Sequence, residues 1–254
     1  MSDTGTPLAN LAGQAVLVTG AARRVGAAIV RGLHADGADV CIHCHRSVAE
    51  AEQLRDALNR ERPRSACIAV ADLLDLKALP GIVATATGAF GRLDALINNA
   101  STFYPSPLET ADPSQWEDLI GTNLRAPFFL AQAATAHLRK SRGLIVNMVD
   151  IHAQRPLPRH PIYSTAKAGL AMLTRSLARE LAPDVRVNGI APGPILWPEA
   201  GMDEQLKREI VSKTLLKRSG SPQDIVSAVL FFAKQAPYVT GQILVIDGGR
   251  SVGW

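Results

Sequence analysis

Seven short apolar runs alternate along this chain with segments of helical length, and each run gives way to glycine, proline or a polar turn. The runs are Ala15–Thr19, Asp39–His43, Ala66–Val70, Leu93–Ile97, Gly143–Asn147, Val185–Ile190 and Ile243–Asp247. Strands that are apolar on both faces and separated by helices cannot be joined by hairpins, so they pack as a parallel sheet with helices on both sides. The helical segments run from the turn after Gly20 to about His34, from Val48 to Asn59, ahead of Leu93, from Gln115 to Lys140 with a break at Pro127, from Pro161 to Leu181, and from Pro222 to Ala233. No linker, low-complexity tract or repeat divides the chain. The expectation is therefore one α/β domain over residues 1–254, a doubly wound parallel sheet of about seven strands, with residues 1–12 a loose extension. In such sheets ligands bind outside the carboxyl ends of the strands.

The composition excludes several other classes. A chain of 254 residues, 47% apolar and 20% charged, has the balance of a globular domain with a large core. The net charge of +4 is mild and no basic run resembles a nucleic-acid arm. No apolar stretch reaches the ~20 residues needed to span a bilayer. The segment Met1–Pro7 lacks the layout of a signal peptide, so a cytoplasmic location is expected. Cys41-Ile42-His43-Cys44-His45 matches a haem-attachment or metal-binding spacing. In a strand, however, residues three apart point to opposite faces, so the two cysteines cannot converge. They are read as reduced structural thiols, and no metal is expected.

Chemistry-bearing residues gather at the strand ends. Tyr163 and Lys167 stand four apart and share a helix face, where an ammonium would favour the phenolate. Such a pair can equally cover a helix surface, so its meaning depends on its neighbours. Thr19-Gly20-Ala21-Ala22-Arg23-Arg24-Val25-Gly26 is a small-residue turn between strand and helix, suited to a pyrophosphate. Arg24 sits where a third glycine would be expected. A cation at a helix N-terminus opposes the dipole, which points its guanidinium to a phosphate or to a substrate. The second strand ends in His45-Arg46-Ser47 with no acid to hold ribose hydroxyls, so a 2′-phosphate and hence NADPH is favoured, although a polar loop reads the same way.

Thr-Gly-x-x-x-x-x-Gly, Asp72-Leu73, Asn98-Asn99-Ala100, Asn123, Tyr163-x-x-x-Lys167 and Pro192-Gly193 follow one another in an order that resembles the short-chain dehydrogenase/reductase family, from about Gln14 to Gly249. The resemblance implies a Rossmann-type fold with NADP(H) across the sheet. It implies Tyr163 as proton donor, Lys167 on the nicotinamide ribose and lowering the tyrosine pKa, and Asn123 holding a water in a proton relay. Asp72 and Leu73 would flank the adenine. Gly20, Val25, Asn98, Ala100, Met148, Pro192 and Gly193 would line the cofactor, and the assembly would be a homotetramer.

The departures from the family pattern are coherent. Asn147-Met148-Val149-Asp150 stands where most members carry a catalytic serine, Arg24 replaces a glycine, and Asn98-Asn99-Ala100 continues as Ser101-Thr102-Phe103. Together these resemble the pteridine reductase branch, which reduces pterins and folates with NADPH. That likeness implies Phe103 stacked on the pterin, Arg24 and Ser101 touching cofactor and substrate, and Asp150 joining Tyr163 in proton delivery. The chemistry agrees, since reducing a C=N bond places a proton on ring nitrogen, for which a carboxyl group is a better reservoir than a hydroxyl. Phe103 could instead be core packing and Asp150 a turn cap. Trp197 either covers the substrate or packs beneath its loop, and Trp254 is either a subunit contact or a frayed end. The rival functions are a carbonyl reductase of 3-oxoacyl thioesters or sugars and a catalytically silent NADP(H) sensor. No nucleic-acid or membrane partner is expected.

Overall fold

The computed structural model describes residues 9–197 and 201–253, so Trp254 lies outside the described residues. The first half holds β1 (Ala15–Val18), α1 (Arg24–Ala35), β2 (Asp39–Cys44), α2 (Val48–Glu61), β3 (Ala66–Val70), α3 (Leu79–Phe90) and β4 (Ala95–Asn98). Next come α4 (Pro113–Ile120), α5 (Ala126–Ser141), β5 (Leu144–Met148), α6 (Pro161–Leu181) and β6 (Arg186–Pro192). The last elements are α7 (Glu204–Ser212), α8 (Pro222–Leu230) and β7 (Ile243–Ile246). All seven strands form one parallel sheet in the order β3-β2-β1-β4-β5-β6-β7. The chain reverses its direction of winding between β1 and β4, which is where a crevice opens in such sheets.

Each face of the sheet carries its own core. Val16, Val18, Val40 and Ile42 pack with α1, α2 and α8 on one side, while Leu17, Cys41, Leu96 and Ile145 pack with α3 and α5 on the other. Strand alternation sends neighbouring residues to opposite cores. Cys41 and Cys44 accordingly fall in different cores, and all three cysteines are free thiols. Among the described residues no cluster of His, Cys, Asp or Glu could hold a metal, and no helix is long and apolar enough to cross a membrane.

Two expectations need correction and one helix is new. The extension read over residues 1–12 ends earlier, because Leu11 is buried in the core and its N–H donates to the Asp36 carbonyl at 2.9 Å. The helical region beginning near residue 113 is interrupted by a π-turn at Gly121–Arg125, ahead of Pro127 rather than at it. Pro127 has no N–H for the carbonyl four residues back, and the ladder widens just before it: the N–H of Ala126 donates to Gly121 five residues back. Helix α7 was not foreseen. It has no buried residue, and its start is capped by the Asp203 carboxylate accepting the N–H groups of Gln205 and Leu206.

Candidate active site

A cavity of about 800 Å³ runs across the carboxyl ends of β1 to β6 and holds most of the residues singled out in the sequence. Its floor is the turn after β1. Gly20 takes φ +59°, and a Cβ there would stand 2.8 Å from the Ala100 Cα, so glycine is required both by backbone conformation and by the approach of the β4 turn. The Thr19 hydroxyl accepts the N–H groups of Asn99 and Ala100, each at 3.0 Å, and the Asn99 amide donates to the carbonyls of Thr19 (2.9 Å) and Gly20 (3.0 Å). These bonds lock the switch point between β1 and β4.

Arg24 explains the missing glycine. Its φ is +54°, the left-handed region that glycine enters freely and a branched-chain or cationic residue enters only at a cost. Its guanidinium Nη2 donates to the Trp197 carbonyl at 3.0 Å, so the strained residue joins the start of α1 to the loop after β6. Helix α1 has no side-chain cap and no acid in its first turn, an arrangement that leaves its positive end to an anion. His45, Arg46 and Ser47 line the cavity beyond it, with His45 Nε2 3.9 Å from the Asp72 carboxylate across the next turn. The glycine cradle and the uncapped helix end together fit the phosphates of a dinucleotide.

The reactive end is built from three elements. Asp150 follows β5 in extended conformation. Its Oδ1 accepts the His152 N–H at 2.8 Å, capping a short 3₁₀ turn, and its Oδ2 accepts the Tyr163 hydroxyl at 2.7 Å. The cap and the partner of Tyr163 are thus one carboxylate. Lys167, only 2% exposed, donates to the Met148 carbonyl at 2.8 Å and lies 5.6 Å from the Tyr163 ring centroid. Burial pulls its pKa down to about 8, partly opposed by Asp150. Ser101 donates to Asn123 Oδ1 at 2.6 Å, and Asn123 Nδ2 donates to the carbonyls of Thr102 and Leu119, both at 2.9 Å. Asn123 lies in the π-turn, a local widening of the helix that is common at functional sites.

One electrostatic expectation is reversed. Tyr163 was expected to have its pKa lowered by Lys167, yet the phenol is held well above its ordinary value. Burial is the main cause, followed by the charge of Asp150 and the hydrogen bond donated to it, while Ser101 acts weakly the other way. The lysine ammonium is turned to a carbonyl, and the carboxylate is the charge that the phenol meets. Tyr163 therefore keeps its proton and donates it in a hydrogen bond to Asp150.

Phe103 is not core packing. It is 53% exposed and does not line the cavity itself, but is stacked on His160 (centroids 4.7 Å, planes 9° apart) and edge-on to the cavity residue Tyr163 at 4.8 Å. Four other predicted residues lie outside the cavity wall. Asn98 donates to Asn147 at 2.8 Å and Asn147 to Thr174 at 3.0 Å, a buried polar ladder that fixes β4, β5 and α6 beneath the site. Asn123 reaches the wall through Ser101. Gly193 serves packing, since a Cβ there would stand 2.6 Å from the Asp247 Cβ. Of the two readings of Trp197, packing beside its own loop matches the groove of about 370 Å³ that it lines against α7, while its carbonyl accepts from Arg24 at the cavity wall. Cavity residues that the motifs did not single out include His43 and Asp118. His43 lay in the Cys-x-x-Cys-His segment, and the signal was its polar ring inside an apolar strand.

Comparison with known proteins agrees with this geometry. The family model described as enoyl-(acyl carrier protein) reductase matches residues 20–251. The chain is 36% identical to pteridine reductase 1 of Leishmania tarentolae, with 93% of this chain and 96% of that protein covered. It is 34% identical to a putative ketoacyl reductase 2 of the granaticin polyketide synthase of Streptomyces violaceoruber, covering 92% and 94%. It is 32% identical to the 3-oxoacyl-(acyl-carrier-protein) reductase of Staphylococcus aureus, covering 93% and 97%.

Proposed function

The chain belongs to the short-chain dehydrogenase/reductase family of nicotinamide-dependent oxidoreductases, and within it we propose an NADPH-dependent reductase of pterin or folate substrates. The observation that carries this reading is Asp150: a carboxylate, bonded to Tyr163 at 2.7 Å, occupies the place where a serine would serve a carbonyl reductase. The cofactor supplies a hydride when bound. The protein's task is then to deliver a proton to ring nitrogen, and the Tyr163–Asp150 pair holds one ready at the cavity wall. Lys167 orients the nicotinamide ribose, Asn123 holds a relay water beside Ser101, and Phe103 offers its exposed aromatic surface to a flat heterocycle. Arg24 and Ser101 complete the substrate contacts, and Arg46 and Ser47 hold the 2′-phosphate.

NADPH oxidation measured with dihydrobiopterin, dihydromonapterin and dihydrofolate, beside a panel of ketones and 3-oxoacyl thioesters, tests the reading. Turnover of a dihydropterin with inactivity on the carbonyl panel is expected. If all three pterins stay unreduced, the substrate assignment is lost. The second reading, a carbonyl reductase, draws on the ketoacyl and 3-oxoacyl reductases among the relatives and is the one that such an outcome favours. A catalytically silent sensor is disfavoured by the intact hydrogen-bonded set.

Two further outcomes are expected. Arg46→Asp places an acid where the 2′-phosphate would lie, and should lower kcat/KM for NADPH by about 10–100-fold relative to NADH. Unchanged cofactor preference would remove Arg46 from the phosphate site. Family membership suggests a homotetramer, for which sedimentation should give about four times 27.0 kDa. We place the enzyme in the cytoplasm, where its three free thiols would stay reduced.

A further inference from the structure

His43 is 2% exposed, near the end of β2, and forms part of the cavity wall. Its Nδ1 faces the N–H of Gly20 at 3.3 Å and its Nε2 faces the carbonyl of Ala71 at 3.2 Å. An N–H can only donate and a carbonyl can only accept, so a single protonation state serves both: a neutral ring with its proton on Nε2. Gly20 is the hinge of the turn after β1, and Ala71 opens the turn after β3 that continues to Asp72 and Leu73. The backbone repeats the tie, since the Ala21 N–H donates to the His43 carbonyl at 2.8 Å and the Ala71 N–H to the Cys44 carbonyl at 3.1 Å.

We propose that His43 is a positioning residue for the cofactor: its ring clamps the glycine turn to the Ala71–Leu73 turn and so sets the width of the cavity end that receives the adenosine half. This rests on the dinucleotide reading of the cavity. Burial supports it by pushing the imidazole pKa down to about 4, so that the ring stays neutral at working pH, with the Ala71 hydrogen bond and the Asp72 charge acting the other way. An apolar side chain of similar size would leave both backbone groups unpaired and free the two turns to shift relative to each other. The polar residue inside the Cys-x-x-Cys-His strand thereby has a use that needs neither haem nor metal.

The test is titration calorimetry with NADP⁺ on wild type, His43→Leu and His43→Gln, with steady-state kinetics in parallel. His43→Leu should raise the Kd for NADP⁺ and the KM for NADPH by about tenfold or more, and change kcat at saturating NADPH by less than about twofold. His43→Gln keeps one acceptor and one donor and should return the Kd to within about threefold of wild type. If the leucine variant does not fold, His43→Asn, polar but too short to span both turns, carries the comparison with a several-fold rise in Kd. Unchanged NADP⁺ affinity in the leucine or asparagine variant overturns the role, as does a glutamine variant no better than leucine. Wild-type protein that binds neither NADP⁺ nor NAD⁺ would instead remove the dinucleotide reading, and the role of His43 with it.

Discussion

Replacing Asp150 by serine should lower dihydropterin turnover by about 10²–10⁴-fold while leaving the Kd for NADPH within about threefold of wild type. The carboxylate holds the Tyr163 hydroxyl at 2.7 Å and caps the following turn through its other oxygen at 2.8 Å. A serine hydroxyl can still serve that cap but cannot hold the acid proton in its place, and it leaves a buried phenol without its charged acceptor. Burial would still hold the Tyr163 pKa above its ordinary value, though less far once the charge of Asp150 is gone, so the loss of turnover would report the missing carboxylate beside the substrate and not a weaker phenol. Asp150→Asn sharpens the comparison because it keeps the shape and the cap, and removes only the titratable group. Both variants should lose turnover. Parallel loss of NADPH binding and of thermal stability would mean that Asp150 acts as a structural cap, and kinetics beside calorimetry separate the two outcomes.

Much of this site was legible because strand ends are. A run such as Ala15–Thr19 stopping at Gly20 fixes a strand, its direction and its carboxyl end together, and the same holds at Asn98 and Asp150. Residues on those ends could therefore be assigned to one edge of the sheet without knowledge of strand order. What was not legible depends on contacts between distant segments. The φ of +54° at Arg24 could be suspected from the missing glycine, but its bond to the Trp197 carbonyl, 173 residues away, could not. His43 looked like part of a cysteine motif because its two partners lie on the turns of other strands. The pKa of Tyr163 was misjudged for a related reason. Helix spacing shows that Lys167 is near, but only the packed geometry shows that its ammonium is turned to Met148 and that Asp150 is the charge facing the phenol.

Lys167→Met should abolish reduction, by about 10³-fold or more, and at the same time raise thermal stability at neutral pH. The ammonium is buried among α6 and the end of β5, with one carbonyl at 2.8 Å as its hydrogen-bond partner for three N–H groups. Holding it at a pKa of about 8 instead of 10.5 corresponds to roughly 3 kcal/mol against the folded state. Methionine has similar length and no charge, so it removes that cost, less about 1–2 kcal/mol for a carbonyl left unpaired. A net gain of about 1–2 kcal/mol would lift Tm by about 2–8 °C in a chain of this size. The pH dependence gives the sharper test. Between pH 8 and 10.5 the unfolded chain retains the lysine proton that the folded protein has released, so this lysine makes wild-type stability rise with pH across that window. The methionine variant lacks that contribution, so the gap in Tm should be widest below pH 8 and close toward pH 10.5. A gap that stays constant with pH, or a variant less stable than wild type at pH 7, would show that the buried charge is compensated elsewhere. The predicted result would make Lys167 a group kept for function at the expense of the fold, which a lysine merely covering a helix would not be.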